Sequence, residues 1–191
     1  MRKKQLGNSD LQVSVVGLGC MMFGSMVDQD ATTACVNAAL DAGINFFDTA
    51  DIYGKSPSSS EEYLAKALGA KRKDIVLTTK FGANSGGRGG SIENGGTRGY
   101  IMTKIEESLS RLNTDYLDLY QYHFPDINTP AEETLRALED LIQQGKVRHI
   151  GCSNMNGAQL AEAAAAADAA GTSPYISAQN WYSLFTRTIE D

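Results

Sequence analysis

Apolar runs begin near Val15, Asn45, Ile75, Tyr116, His149 and Ser177, and each of the first five is followed by a segment whose apolar positions recur at helical period. The starts recur every ~30–40 residues, the spacing of repeated strand-helix units joined by right-handed crossovers. The period predicts a helix over 32–42 with Cys35, Ala38, Ala39 and Ala42 on its packed stripe, and another carrying Ile101, Ile105, Leu109 and Leu112. Thr129-Pro130-Ala131-Glu132 reads as a capping box with proline at the first helical position, and Gly145 as the stop after Leu138, Leu141 and Ile142. Ser59 to Glu62 repeats that box, with Gly69 as its stop. The Ala-rich stretch 161–170 lies between Asn156 and Gly171, which suit the two ends of a helix.

Unbroken strand-helix alternation suits either an open doubly wound sheet or a closed α/β barrel. An open sheet gathers its site at one switch point, whereas a barrel scatters functional groups over the carboxyl ends of many strands. Here they are scattered. Ile44-Asn45-Phe46-Phe47 stops at Asp48 and runs into a loop bearing Tyr53; Ile75 to Thr79 ends at Lys80; Tyr116 to Tyr122 ends at His123, where Phe124-Pro125 breaks the strand. The expected fold is therefore a (β/α)8 TIM barrel. A full barrel takes roughly 250 residues, and the 191 residues here hold about six units. The expectation is one barrel domain over 1–191, truncated after its sixth strand, a fragment of a longer protein.

Composition narrows the partners. Hydrophobic residues make up 42% of the chain, enough for a real core, and the net charge of -6 leaves no basic footprint for nucleic acid. Cys20, Cys35 and Cys152 are too few for a disulfide framework and lack metal-ligand spacing, which indicates a reducing cytoplasm and no metal site. Met1 to Asp10 is polar, unlike a secretory leader, and no stretch approaches a membrane span.

An acid, a phenol, an ammonium and an imidazole on separate strand ends can deliver a proton to a carbonyl. Lys80 would pull the Tyr53 phenol toward neutrality, Asp48 would hold Lys80 charged, and His123 would share the carbonyl oxygen with Tyr53. Taken singly, each has a plain structural reading as a loop cap, packing ring, solvated strand end or satisfied histidine. Two further strand ends, Ser153-Asn154 and Gln179-Asn180, offer hydroxyl and carboxamide groups suited to an amide ligand such as nicotinamide, although Ser-Asn is also a good helix cap. Gly17-Leu18-Gly19 fails as a dinucleotide fingerprint because Met22 stands where the third glycine would be. The stretch 82–99, with Arg88 and Arg98, lacks the P-loop ending and reads as a mobile rim loop. His149 opens a strand and reads as structural; Tyr116, Tyr120 and Tyr122 read as packing; Phe23, Phe124 and Trp181 are candidates to line an apolar pocket.

These stretches together resemble the aldo-keto reductases. The matches are Gly43 through Gly54 (Gly-Ile-Asn-Phe-Phe-Asp-Thr-Ala-Asp-Ile-Tyr-Gly), Thr79-Lys80, Ser108 to Leu112 with Asp115 to Leu119, and Gly151-Cys152-Ser153-Asn154, while Leu6-Gly7 through Val13-Ser14 looks like the family's opening hairpin. Tyr122-His123-Phe124-Pro125-Asp126 suggests the branch with bacterial oxidoreductases and potassium-channel β-subunits. The resemblance implies a tetrad of Asp48, Tyr53, Lys80 and His123 with Tyr53 as proton donor. It also implies contacts to the cofactor from Asp48, Ser153, Asn154 and Gln179, and NADPH-dependent reduction of an aldehyde or ketone. In that family the ring that stacks on nicotinamide and the residues gripping the 2′-phosphate come from units beyond Asp191, so this chain alone is expected to bind NADPH poorly and turn over little. The expected partner is a small carbonyl compound, with assembly into a homo-oligomer left open. Two other classes compete: a lyase that forms a Schiff base on Lys80, and a non-catalytic nucleotide-binding module that regulates a partner protein.

Overall fold

In a computed structural model, which describes residues 1–56, 58–84 and 90–190, the apolar runs become a parallel sheet. An antiparallel hairpin, β1 (Lys3–Gln5) and β2 (Gln12–Ser14), comes first. The strands β3 (Leu18–Gly19), β4 (Phe46–Asp48), β5 (Val76–Phe81), β6 (Leu117–Tyr122), β7 (Val147–Ser153) and β8 (Ala178–Gln179) then pair in chain order, all parallel. The helices α1 (Gln29–Asp41), α2 (Ser59–Leu68), α3 (Arg98–Leu112), α4 (Ala131–Gln143) and α5 (Gly157–Ala170) fill the crossovers. None of the described helices is long and apolar enough to cross a membrane.

The sheet is rolled. Laid flat at ~4.8 Å per strand, β4 and β8 would stand roughly 19 Å apart, yet Gln179 Nε2 on β8 donates to Asp48 Oδ2 on β4 at 3.1 Å. No flat arrangement lets two such side chains meet, so the six strands form an arc of a barrel, with β3 and β8 as its edges. This decides between the two architectures in favour of the barrel.

Rolling divides the side chains by alternation. Outward residues Phe47, Leu77, Phe81, Tyr120 and Ile150 join Val36, Leu64, Ile101, Ile105, Leu135, Leu138 and Leu141 of the helices in the main core. The inward face changes character along its length. At the foot, Val76 packs with Leu11 and Val13 of the hairpin, backed by Leu6, Phe46 and Ile176. The hairpin is pinned there by Asn45, which accepts from Ser14 N at 2.7 Å and donates to Gln12 O at 2.9 Å. Gly7 sits at φ +56, where any side chain would run into the carbonyl oxygen of Ile176.

Several local expectations change. α1 starts earlier, capped by Asp28, which accepts from Ala31 N at 2.9 Å, and buries Thr32, Val36 and Ala39 while Cys35 is exposed. The large branched side chain of Val36 decides which stripe faces the sheet, because it removes more apolar area from water than alanines do. The two Ser/Thr boxes do not form. Pro130 occupies the N-cap of α4 and Thr129 Oγ1 donates to Asp126 at 2.7 Å; Ser58 caps α2 in the left-handed region without a side-chain cap bond. Asn156 and Gln159 do make a reciprocal box on α5, and Gly171 ends that helix at φ +65.

Candidate active site

At the carboxyl ends of the strands the inner face becomes polar. Along β5 the inward series is Val76, Thr78, Lys80, and along β6 Leu119 and Gln121 stand opposite Thr78 and Lys80. Lys80 is 1% exposed. Its Nζ donates to Asp48 Oδ2 at 2.7 Å and to the Thr49 carbonyl at 2.9 Å, and lies 5.1 Å from the centre of the Tyr53 ring. Tyr53 Oη is 3.4 Å from His123 Nε2, and the two rings meet edge to face. The structure thus brings Asp48, Tyr53, Lys80 and His123, delivered by three strands and one loop, into one cluster.

The protonation states follow from burial and charge. Burial pulls the Lys80 ammonium below the usual lysine range, opposed by the Asp48 carboxylate beside it. His123 is pushed down to about 3 by burial and by the Lys80 charge, so its imidazole is neutral near pH 7. Tyr53 goes against the sequence expectation. Burial, then the carboxylates of Asp48 and Asp51, raise its phenol above the ordinary range. The Lys80 charge that was expected to lower it is already spent on Asp48 at 2.7 Å.

The loop holding Tyr53 is fixed by three consecutive hydroxyls at the start of α2. Ser58 Oγ donates to the Asp51 carbonyl, Ser59 Oγ accepts from Lys55 N at 3.1 Å, and Ser60 Oγ donates to the Cys20 carbonyl at 2.7 Å while meeting Thr49 Oγ1 at 2.9 Å. Beneath the loop, Glu61 is fully buried, accepting from Thr79 Oγ1 at 2.6 Å and pairing with Arg111 at 2.6 Å. These anchors were read from the sequence only as a helix cap; the run of serines directly after the Tyr53 loop was the available signal.

The second group of expected residues joins the first. Ser153 Oγ donates to the Gln179 carbonyl at 2.7 Å, and Asn154 Nδ2 donates to Ser153 Oγ and to the His123 carbonyl, both at 3.0 Å. Gln179 reaches Asp48 as described. A primary carboxamide presents two donors and one acceptor. The hydroxyl and two carboxamides gathered here, with the buried Asn180 Oδ1 lacking a partner close by, fit such a group. Between the edges of β3 and β8 a cleft runs from the hairpin past Gly17 and Gly19 to Asp48 and Gln179.

Other candidates fall elsewhere. Phe124 stacks on His123 at 4.9 Å, but Phe23 belongs to the main core and Trp181 is 77% exposed beside the start of α5. Tyr116 lies between the guanidinium groups of Arg72 and Arg148, Tyr120 is fully buried and Tyr122 stacks on Phe81, all packing roles. His149 Nε2 meets Asp10 at 2.7 Å at the foot of the barrel. Arg98 opens α3 and pairs with Asp140; Arg88 and the centre of the expected rim loop lie outside the described residues.

A rolled parallel sheet with its polar groups at the strand carboxyl ends defines a βα-barrel of the enzyme kind. The Aldo/keto reductase family model matches residues 15–191, and the chain belongs to that family. It is 40% identical over 157 residues to the uncharacterized oxidoreductase YqkF of Bacillus subtilis, covering 81% of this chain and 49% of the relative. It is 37% identical to a probable voltage-gated potassium channel subunit beta of Oryza sativa, over 98% of this chain and 57% of the relative. A third relative, the aldo-keto reductase YhdN of Bacillus subtilis, is 34% identical over all of this chain and 56% of its own length. The chain therefore spans about half to three-fifths of the length of these relatives.

Proposed function

We propose that this chain supplies the tetrad-bearing part of an NADPH-dependent reductase that converts an aldehyde or ketone to its alcohol. The observation that carries the reading is the buried Lys80–Asp48 pair set against Tyr53 and His123 at the strand carboxyl ends. When bound, the reduced nicotinamide supplies a hydride to the carbonyl carbon. Ser153, Asn154 and Gln179 hold its carboxamide, with Asp48 anchoring Gln179. Tyr53 gives its proton to the carbonyl oxygen. Neutral His123, with Nε2 facing the phenol, orients that oxygen without adding charge, and the Lys80–Asp48 pair beneath the Tyr53 ring holds the phenol in place. Burial keeps the Tyr53 phenol protonated near pH 7, the form in which a proton donor must start. The three described cysteines are all unpaired, in keeping with a cytoplasmic setting.

The Schiff-base alternative needs a free, reachable amine, and Lys80 is 1% exposed with its ammonium engaged by Asp48 and Thr49. The test is aldehyde-dependent consumption of NADPH by the chain, and by the chain continued with the matching remainder of YqkF, each with and without Tyr53→Phe. Consumption that vanishes in the variant supports the reading. No consumption by either protein, with borohydride trapping of substrate on Lys80, contradicts it.

A further inference from the structure

Gln121 has no role in the tetrad or among the groups given to the cofactor, yet it sits at the centre of both. It is 3% exposed on the inner face of β6, two residues before His123. Its Nε2 lies 3.0 Å from Thr78 Oγ1, 3.3 Å from Asp48 Oδ1 and 3.5 Å from Gln179 Oε1. An ionised carboxylate only accepts, so the amide nitrogen is the end of Gln121 that must face Asp48. Asp48 is then held on both oxygens, with Gln121 on Oδ1 and Lys80 and Gln179 on Oδ2.

The backbone of the neighbouring strand makes room for this side chain. A Cβ on Gly151 of β7 would meet Ser177 first, 2.7 Å from its Oγ and 3.2 Å from its carbonyl oxygen, and would lie 3.3 Å from Gln121 Cγ. Glycine at 151 thus makes room for Ser177 on one side and for Gln121 on the other. The glycine of the Gly-Cys-Ser-Asn run carries a spatial requirement separate from the polar residues that follow it.

We propose that Gln121 is a positioning residue: it fixes the Asp48 carboxylate and, through it, the carboxamide of Gln179, so that Gln179 faces the cofactor in one orientation. The amide has two protons for three acceptors, so it bonds two strongly and the third weakly, which leaves Gln179 Oε1 available to a ligand. This rests on the reductase reading for its ligand but not for its geometry, and the test separates the two.

The side-chain amide resonances of Gln179 are recorded by NMR in the wild-type chain, in Gln121→Met and in Gln121→Asn, and NADPH affinity is measured by fluorescence titration on the same proteins continued with the matching remainder of YqkF. Gln121→Met keeps the length and removes the donor; Gln121→Asn keeps the amide but is too short to reach Asp48, and serves if the first variant does not fold. The expected result is a shift of the Gln179 resonances in both variants, with NADPH affinity about tenfold weaker, the loss of roughly one buried hydrogen bond. A packing residue alone would leave the Gln179 resonances in place, and that outcome overturns the proposal. A form continued with the matching remainder of YqkF that shows the coupling but binds no NADPH supports the positioning role and counts against the reductase reading instead.

Discussion

The two ends of the barrel are built from opposite materials. At the foot, Leu11, Val13 and Val76 close the interior with apolar side chains, and the charged contacts lie outside, as in His149 with Asp10. At the top, the same inward positions carry Asp48, Lys80, Gln121 and Gln179, a buried ion pair held by amides. Filling the top with leucine would cost nothing in transfer energy, whereas burying an ammonium is expensive and is repaid only in part by its partner. The foot is organised for stability and the top for charge at a fixed place, as the barrel's functional polarity requires.

Tyr53→Phe should separate the ends most sharply. Turnover is expected to fall by ~10²–10⁴, the contribution of a positioned general acid, while the melting temperature stays close to wild type; steady-state kinetics and calorimetry on the same preparation check both. Asp48→Ala strands the buried Lys80 charge and should cost about 3 kcal/mol of stability in urea unfolding, which a Lys80→Met change in the same chain partly restores. Leu11→Ala at the foot should cost about 2 kcal/mol, at the low end for a buried leucine because the hairpin can settle into the space. It should leave NADPH affinity unchanged. If Leu11→Ala abolished binding and Asp48→Ala did not destabilise the chain, the division of labour between the ends would be wrong.

The smallest expected effect is a change in the slope of stability with pH. His123 takes up its proton near 6.5 when unfolded and near about 3 when folded, so its contribution is complete above pH 6.5 and is lost as pH falls toward 3. Asp51 behaves oppositely. Burial, with Glu61 beside it, raises its folded value to about 7 from 3.8, so its contribution is complete below pH 3.8 and is lost as pH rises through 7. The slopes oppose each other between pH 4 and 6.5. Asp51→Asn should leave stability rising with pH over that window, and His123→Asn should leave it falling, as read from urea midpoints at successive pH values.

Much of the top was legible because strand period and strand ends are visible in sequence. The apolar runs located β4, β5, β6 and β7 to within a residue or two, and at or beside their ends stood the candidates Asp48, Lys80, His123 and Ser153, while Tyr53 was read on the loop after β4. Gln121 was harder to see because a polar residue inside an apolar strand shows its role only when the sheet rolls and brings β4 and β8 within reach. The Tyr53 shift was missed for a related reason. Proximity to Lys80 was foreseeable, but not that Asp48 would neutralise that charge and that Asp51 would act on the phenol as well. In α1, alanine abundance pointed to the wrong stripe because it gave small side chains equal weight with Val36.

The central claim is that the polar end of this barrel passes hydride and proton to a carbonyl. Its most direct measurement is label transfer from NADPH deuterated at its reactive carbon to a simple aldehyde, read by mass spectrometry of the alcohol. The measurement uses the chain and its YqkF-continued form. The account predicts one deuterium on the former carbonyl carbon, formed far more slowly with Tyr53→Phe. Alcohol without label, or no alcohol from either protein, would contradict it.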